Sequence, residues 1–293
     1  MRTRSISVGS IAFVLFAAAC ANASSTGTGG GSGRIAHPAG PAALVLRVDT
    51  SGGLVAPSFA MQHVPGFSLY GDGTSITPGA QIEIYPGPAL ASLIASPITE
   101  VGVQAILRAA KDAGLFSSTD YTDLGSVGIA DAGTTTFTVV VDGHTYVTRA
   151  YALGELSTRP QGMSPDEFAA RQALLSFSNS LGDPASWLPK GSVGAGSPYT
   201  PTGLRIFVGA YQPGGRGLTE PVVDWPLQPG LAGFGAKSTS GFAIQLECGT
   251  VTGGDLAALL PLVQMANQLT PWASDGKRYA LTFRPLLPDE TGC

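Results

Sequence analysis

Charge is what this sequence has least of: Asp, Glu, Lys and Arg make up 12% of its 293 residues, about half the share usual in soluble domains. Lysine is rarer than arginine, and no Lys/Arg cluster occurs anywhere along the chain. Without such a cluster there is no surface to neutralise phosphates, which excludes nucleic acid as a partner, and no polybasic grip on anionic lipid. Histidine and cysteine number three each, and no pair stands at metal-ligand spacing, so neither a metal site nor any other cofactor is implied. No apolar run reaches the roughly 20 residues that span a bilayer as a helix. What the chain has in quantity is hydrophobic residues (44%), Gly (40) and Pro (22), with a net charge of −4. Disordered chains combine low hydrophobicity with high charge; this composition describes a folded body with many turns.

The N-terminus carries the clearest signal. Arg2 and Arg4 are followed by the apolar residues Ile6, Val8, Ile11, Phe13, Val14, Leu15 and Phe16, then by Ala17, Ala18 and Ala19. A positive start, a short apolar core and a small-residue exit describe a secretory signal. The sequence Ala17-Ala18-Ala19-Cys20 resembles the lipobox of bacterial lipoproteins, with Ala17 at the place where the family favours Leu. The resemblance covers about twenty residues. It implies that Cys20 becomes the mature N-terminus, carries a diacylglyceryl group (with palmitate among its acyl chains) and anchors the protein to the extracytoplasmic face of the cell membrane. Ser24 to Gly33 is a Gly/Ser/Thr tether with no side chain to bury, suited to holding a body away from the membrane. Ala21-Asn22-Ala23 is an A-x-A pattern, so cleavage after Ala23 and secretion as a diffusible protein stays open beside anchoring.

With Cys20 committed to lipid, Cys248 and Cys293 remain as an even pair. An exported protein meets an oxidising compartment, and the expectation is a disulfide fastening the C-terminal residue to the body.

Along the body, Ala43–Val48 has strand character, and Phe67–Ile76 is a hairpin turning at Gly71-Asp72-Gly73. Another strand is expected over 82–85, before Pro86-Gly87-Pro88. Thr99 caps a helix with Val103, Ile106, Leu107 and Ala110 on one face, stopped by Gly114. Asp142-Gly143 between β-branched runs is the strongest hairpin signal. Ser164-Pro165-Asp166-Glu167 opens a second helix, with Ala170, Leu174, Phe177 and Leu181 as its stripe. Ser186–Pro201 reads as a loop or linker. Strands follow at Gly203–Tyr211 and Gly241–Cys248, with Phe242, Ile244 and Leu246 on one face. Thr252 and Asp255 form a capping box for a helix from Gly253 to about Leu269, which Pro261 should kink or split. A strand at Tyr279–Pro285 closes the chain. The expected fold class is α+β: antiparallel hairpins with about three helices packed on the sheet, arranged as two similar strand-strand-helix-strand halves. The segments are a signal peptide (1–19), lipidated N-terminus and tether (20–41), a first half (42–185), a loop or linker (186–201) and a second half (202–293).

Catalytic motifs are sparse. His37 is expected to be solvated in the tether, His63 to lie in a loop, and His144 to follow a turn. The nucleophile elbow Gly-x-Ser-x-Gly is absent. Ser274-x-x-Lys277 matches penicillin-recognising enzymes by letter, but Asp275-Gly276 between them is a turn where that chemistry needs a helix. Gly214-Gly215-Arg216-Gly217 lacks the Lys-Ser/Thr ending of a phosphate loop. Trp187, Trp225 and Trp272 sit beside prolines or turns, either as binding aromatics or as core plugs. The function expected on this basis is a non-enzymatic binding or interaction protein of the bacterial envelope, membrane-bound through Cys20. A surface or secreted hydrolase and a solute-binding component of an importer are the alternatives.

Overall fold

The structure is a computed structural model that describes residues 33–81, 83–125, 127–213, 220–237 and 246–293. The signal peptide, Cys20, the tether up to residue 32, the Gly214–Gly217 loop, and Phe242 and Ile244 lie outside the described residues.

Residues Ile35–Cys293 form one compact unit of two β-sheets and four helices among the described residues, an α+β fold. The first sheet holds β1 (Leu44–Ser51), β2 (Phe67–Tyr70), β3 (Thr74–Pro78), β4 (Leu93–Pro97), β5 (Asp120–Tyr121), β6 (Thr134–Val141), β7 (His144–Tyr151) and β8 (Ser197–Pro198), in the order β5-β7-β6-β1-β2-β3-β4-β8. The second holds β9 (Gly203–Ala210), β10 (Val223–Asp224), β11 (Ala236–Lys237), β12 (Glu247–Thr252), β13 (Pro271–Ser274) and β14 (Lys277–Pro285), in the order β10-β13-β14-β9-β12-β11. The helices are α1 (Pro57–Gln62), α2 (Glu100–Asp112), α3 (Pro165–Ser180) and α4 (Gly253–Met265). None is long and apolar enough to cross a membrane.

Local chemistry explains most of these elements. Along β6 burial alternates without a break, with Phe137, Val139 and Val141 inward, the pattern of a strand with one covered face. The β6–β7 turn has positive φ at both Asp142 (51°) and Gly143 (76°), as a two-residue hairpin requires. Thr99 and Ser164 accept side-chain hydrogen bonds from Gly102 N and Glu167 N, capping α2 and α3 as the sequence implies. Helices α2 and α3 cover one face of the first sheet, burying Ile106, Leu107, Leu174 and Phe177 against Leu46, Leu69 and Phe137. A register shift between Leu44 and Leu46 puts both Val45 and Leu46 into that core. Arg47 and Asp49 then alternate onto the opposite face.

Several expectations need correction. Of the strand expected over 82–85, residue 82 lies outside the described residues and residues 83–85 are irregular; the strand that follows in this region is β4. Two edge pairs, β5–β7 and β10–β13, are parallel; each edge strand reaches its partner through a long connection, so a hairpin turn imposes no direction on it. A fourth, six-residue helix, α1, starts at Pro57. Thr252 stands at the N-cap of α4 without a side-chain bond, so the capping box is absent, and the helix ends at Met265. Pro261 lies within α4 without splitting it. Pro261 and Ala257 are both exposed, so water can serve the carbonyl that the missing N–H leaves free. Segment 186–201 carries β8 against β4 and a bridge from Val193 to Ile98. The two sheets each place their first strand centrally, but β6–β7 joins it through its first strand and β13–β14 through its second.

The N-terminal residues of the unit are fastened down. Ile35 exchanges hydrogen bonds with the Gln104 amide (2.9 and 2.8 Å), and Ala36 exchanges them with Asp142. The backbone at Pro38 and Ala39 passes so close to Gly71 that a Cβ there would meet Pro38 O at 2.3 Å. His37 is accordingly not solvated: its side chain is 9% exposed, and its ring bonds Pro38 O (2.8 Å) and Glu100 (3.1 Å).

Arg171 holds α3 to the first sheet. It is fully buried and donates from Nη1 to Tyr121 O (2.7 Å) and from Nη2 to Tyr151 O, joining the ends of β5 and β7. Burial pushes its pKa down. The expected apolar stripe of α3 is therefore interrupted by a cation that closes strand ends. Trp225 and Trp272 are core plugs: with Phe234 and Phe283 they form edge-to-face pairs at 5.2–6.2 Å. Trp187 is half-buried and donates to Ser180 O.

Candidate functional site

The C-terminal residues shape the site from behind. Arg284, on β14, binds Glu290 through both terminal nitrogens (2.6 and 2.7 Å) and donates from Nε to His63 O (2.6 Å). Arg47, on β1, donates to Asp289 (2.7 Å), and the Tyr70 hydroxyl donates to the same oxygen (2.8 Å). Tyr199 donates to Leu286 O, and Arg205 to Gly292 O. Burial pushes both tail carboxyls up, but their partners outweigh it. The Arg284 bonds hold Glu290 below its ordinary value, and Arg47 with Tyr70 does the same for Asp289. Burial raises the Tyr199 hydroxyl to about 12. Cys293 is disulfide-bonded to Cys248 on β12, with Cα atoms 6.0 Å apart. Covalent and ionic ties thus fix the last residues to both sheets.

Beside this network lies a cavity of about 590 Å³, within the roughly 300–1,000 Å³ range of small-ligand sites. Its walls come from β1 and β2 (Val48, Thr50, Phe67), α1 and its C-cap (Phe59, Gln62, His63), the end of α3 (Ser178, Leu181), the end of β3 (Pro78) and the loop residues Gln81, Ile84, Gly87, Pro88 and Ala91, with Gln268 closing one side. Position here is set by backbone bonds: Ala89 N donates to Ala266 O (3.1 Å) and Gln268 N to Gly87 O (2.9 Å), so Gly87 to Ala89 are clamped to the end of α4. Gln62 adds a bond from Nε2 to Ala89 O. At the rim, Phe59 is 62% exposed and Ile84 60%, large apolar side chains left in water beside an opening.

His63 caps α1 and its Nε2 lies 2.5 Å from Asp49 Oδ1. Among the described residues this is the ring's one hydrogen bond. A carboxylate only accepts, so it holds the proton on Nε2 and leaves Nδ1 as an acceptor. No serine hydroxyl is bonded to the ring, and Ser178, in the same wall, stands without a hydroxyl partner among the described residues.

Other candidates separate. His144 opens β7 exposed after its turn. Ser274 and Lys277 face each other across the β13–β14 turn, so neither stands on a helix, and Ser274 bonds Asp275 and Leu231 N. A second concavity contains Asp120, Asp123, Asp166 and Glu167. Asp120 and Asp123 already accept from Thr122 and Gly125 of their own loops. No group of three His, Cys, Asp or Glu that could hold a metal ion occurs among the described residues. Sequence reasoning missed the Asp49–His63 pair, for which there is no local motif.

Compared with known proteins, the chain matches no family model, no curated protein and no solved structure.

Proposed function

We propose that this chain is an exported, lipid-anchored binding protein of the bacterial envelope that holds a small ligand in the cavity beside α1 and performs no chemistry on it. The observation that carries the reading is that cavity: preformed, mainly apolar, rimmed by exposed Phe59 and Ile84, with a few amide groups at its walls. The Cys248–Cys293 bond agrees with an oxidising compartment, and Cys20 supplies the attachment to the membrane.

A hydrolase is the second reading, and it draws on the same place. A histidine oriented by a carboxylate in a cavity is two parts of a nucleophilic triad. The missing part is a nucleophile bonded to the ring, which is why the binding reading is preferred.

The intact mass of the mature protein from the membrane fraction tests the address. A chain beginning at Cys20 with a diacylglyceryl group, gaining two protons on reduction, is the expected result. An unmodified chain beginning at Ser24 and found in the medium overturns the anchor and makes the protein diffusible.

A further inference from the structure

We infer that the ligand of this cavity is an uncharged amphiphile, with an apolar body and a hydroxyl or amide head, an inference that rests on the binding reading above. Charge comes first. Among the described residues no Lys or Arg stands in the wall, and the Asp49–His63 pair carries −1 with a neutral ring and zero with a protonated one. In neither state does the pair present a net positive charge. The Arg284 guanidinium, which meets the His63 carbonyl, is neutralised by Glu290. A carboxylate or phosphate head would leave water without a counter-charge, which costs several kcal/mol.

The polar atoms left over narrow the class further. Gln62 spends its amide nitrogen on Ala89 O, leaving Oε1 as an acceptor. Gln268 spends its oxygen on Gly87 N, leaving Nε2 as a donor. His63 spends Nε2 on Asp49, leaving Nδ1 as an acceptor when the ring is neutral. Gln81, with its amide nitrogen on Ser92 O, adds a further acceptor, and the Ser178 hydroxyl can both give and take. Donors and acceptors together suit a head that both gives and takes a hydrogen bond. A hydroxyl or an amide does so; an ammonium only donates, and a carboxylate only accepts. Val48, Phe59, Phe67, Ile84 and Leu181 supply the surface for the apolar body.

The test uses the full chain and the neutral fluorophore N-phenyl-1-naphthylamine, whose emission rises in an apolar site. Phe59, being mostly exposed, can be truncated without opening the core, and Phe59→Ala is expected to weaken fluorophore binding at least threefold. Decanol and decanamide are expected to displace the fluorophore at concentrations at least tenfold lower than decanoic acid or decylammonium. Equal displacement by the acid or the ammonium overturns the ligand class while the binding reading stands. Fluorophore binding that is absent, or that Phe59→Ala leaves unchanged, overturns the binding reading itself and this inference with it.

Discussion

Replacing Arg284 by Met is expected to lower the free energy of unfolding by about 3–5 kcal/mol, as breaking a buried ion pair on one side does. Arg284 is 7% exposed and serves four acceptor atoms: both oxygens of Glu290, the carbonyl of His63 and, at 3.5 Å, that of Pro285. Met keeps most of the apolar stem but leaves the half-buried Glu290 carboxylate without its cation. Urea denaturation at neutral pH reads the loss. A second substitution, Glu290→Leu, should restore part of it, because neither charge then remains buried alone. If the double variant is no more stable than the single one, the orphaned carboxylate is not the cause.

Acid tests the same contact in the wild type. Glu290 and Asp289 both titrate below their ordinary values of 4.5 and 3.8 when folded. A depressed carboxyl contributes stability above its unfolded value, and that contribution is lost as pH falls through the folded one. Stability should therefore decline as pH drops below about 4.5, and decline less steeply in Arg284→Met, where the cation that lowers Glu290 is gone. Equal slopes for the two proteins in a series of denaturation curves would remove Glu290 from the account of acid sensitivity.

Elements with a strong local rule were legible in the sequence. The β6–β7 hairpin follows from Asp142-Gly143 and its flanking β-branched residues, and α2 and α3 from Thr99 and Ser164. Elements without one were not. β4 reads Leu-Ile-Ala-Ser-Pro with a proline at its end, and it forms because β3 and β8 flank it. β13 begins with Pro271 and owes its place to pairing with β14. The candidate site is the least legible part. Asp49 and His63 are 14 residues apart, and they meet only because β1 sends Asp49 off the helix-covered face and α1 ends at His63. Arg47 and Asp289 are 242 residues apart. Such contacts are products of the sheet order, which no local pattern encodes. The disulfide was legible because a count of cysteines is independent of fold.

Cys293→Ser is expected to cost about 3–4 kcal/mol, through freedom regained by the unfolded chain across residues 248–293. Its effect should differ in kind from that of Arg284→Met. In the folded state Cys293 N still donates to Thr250 and Arg205 still reaches Gly292 O. The bonds at Asp289 and Glu290, three and four residues earlier, do not depend on the thiol. Native geometry around His63 should thus survive, with the loss appearing only in the denaturation midpoint. Arg284, by contrast, touches the His63 carbonyl directly, so its removal should shift the floor of the cavity as well as the midpoint. Measuring unfolding and fluorophore binding on both variants separates the two. If Cys293→Ser impairs binding as much as Arg284→Met, the disulfide orders the folded cavity, and the entropic account of its role fails.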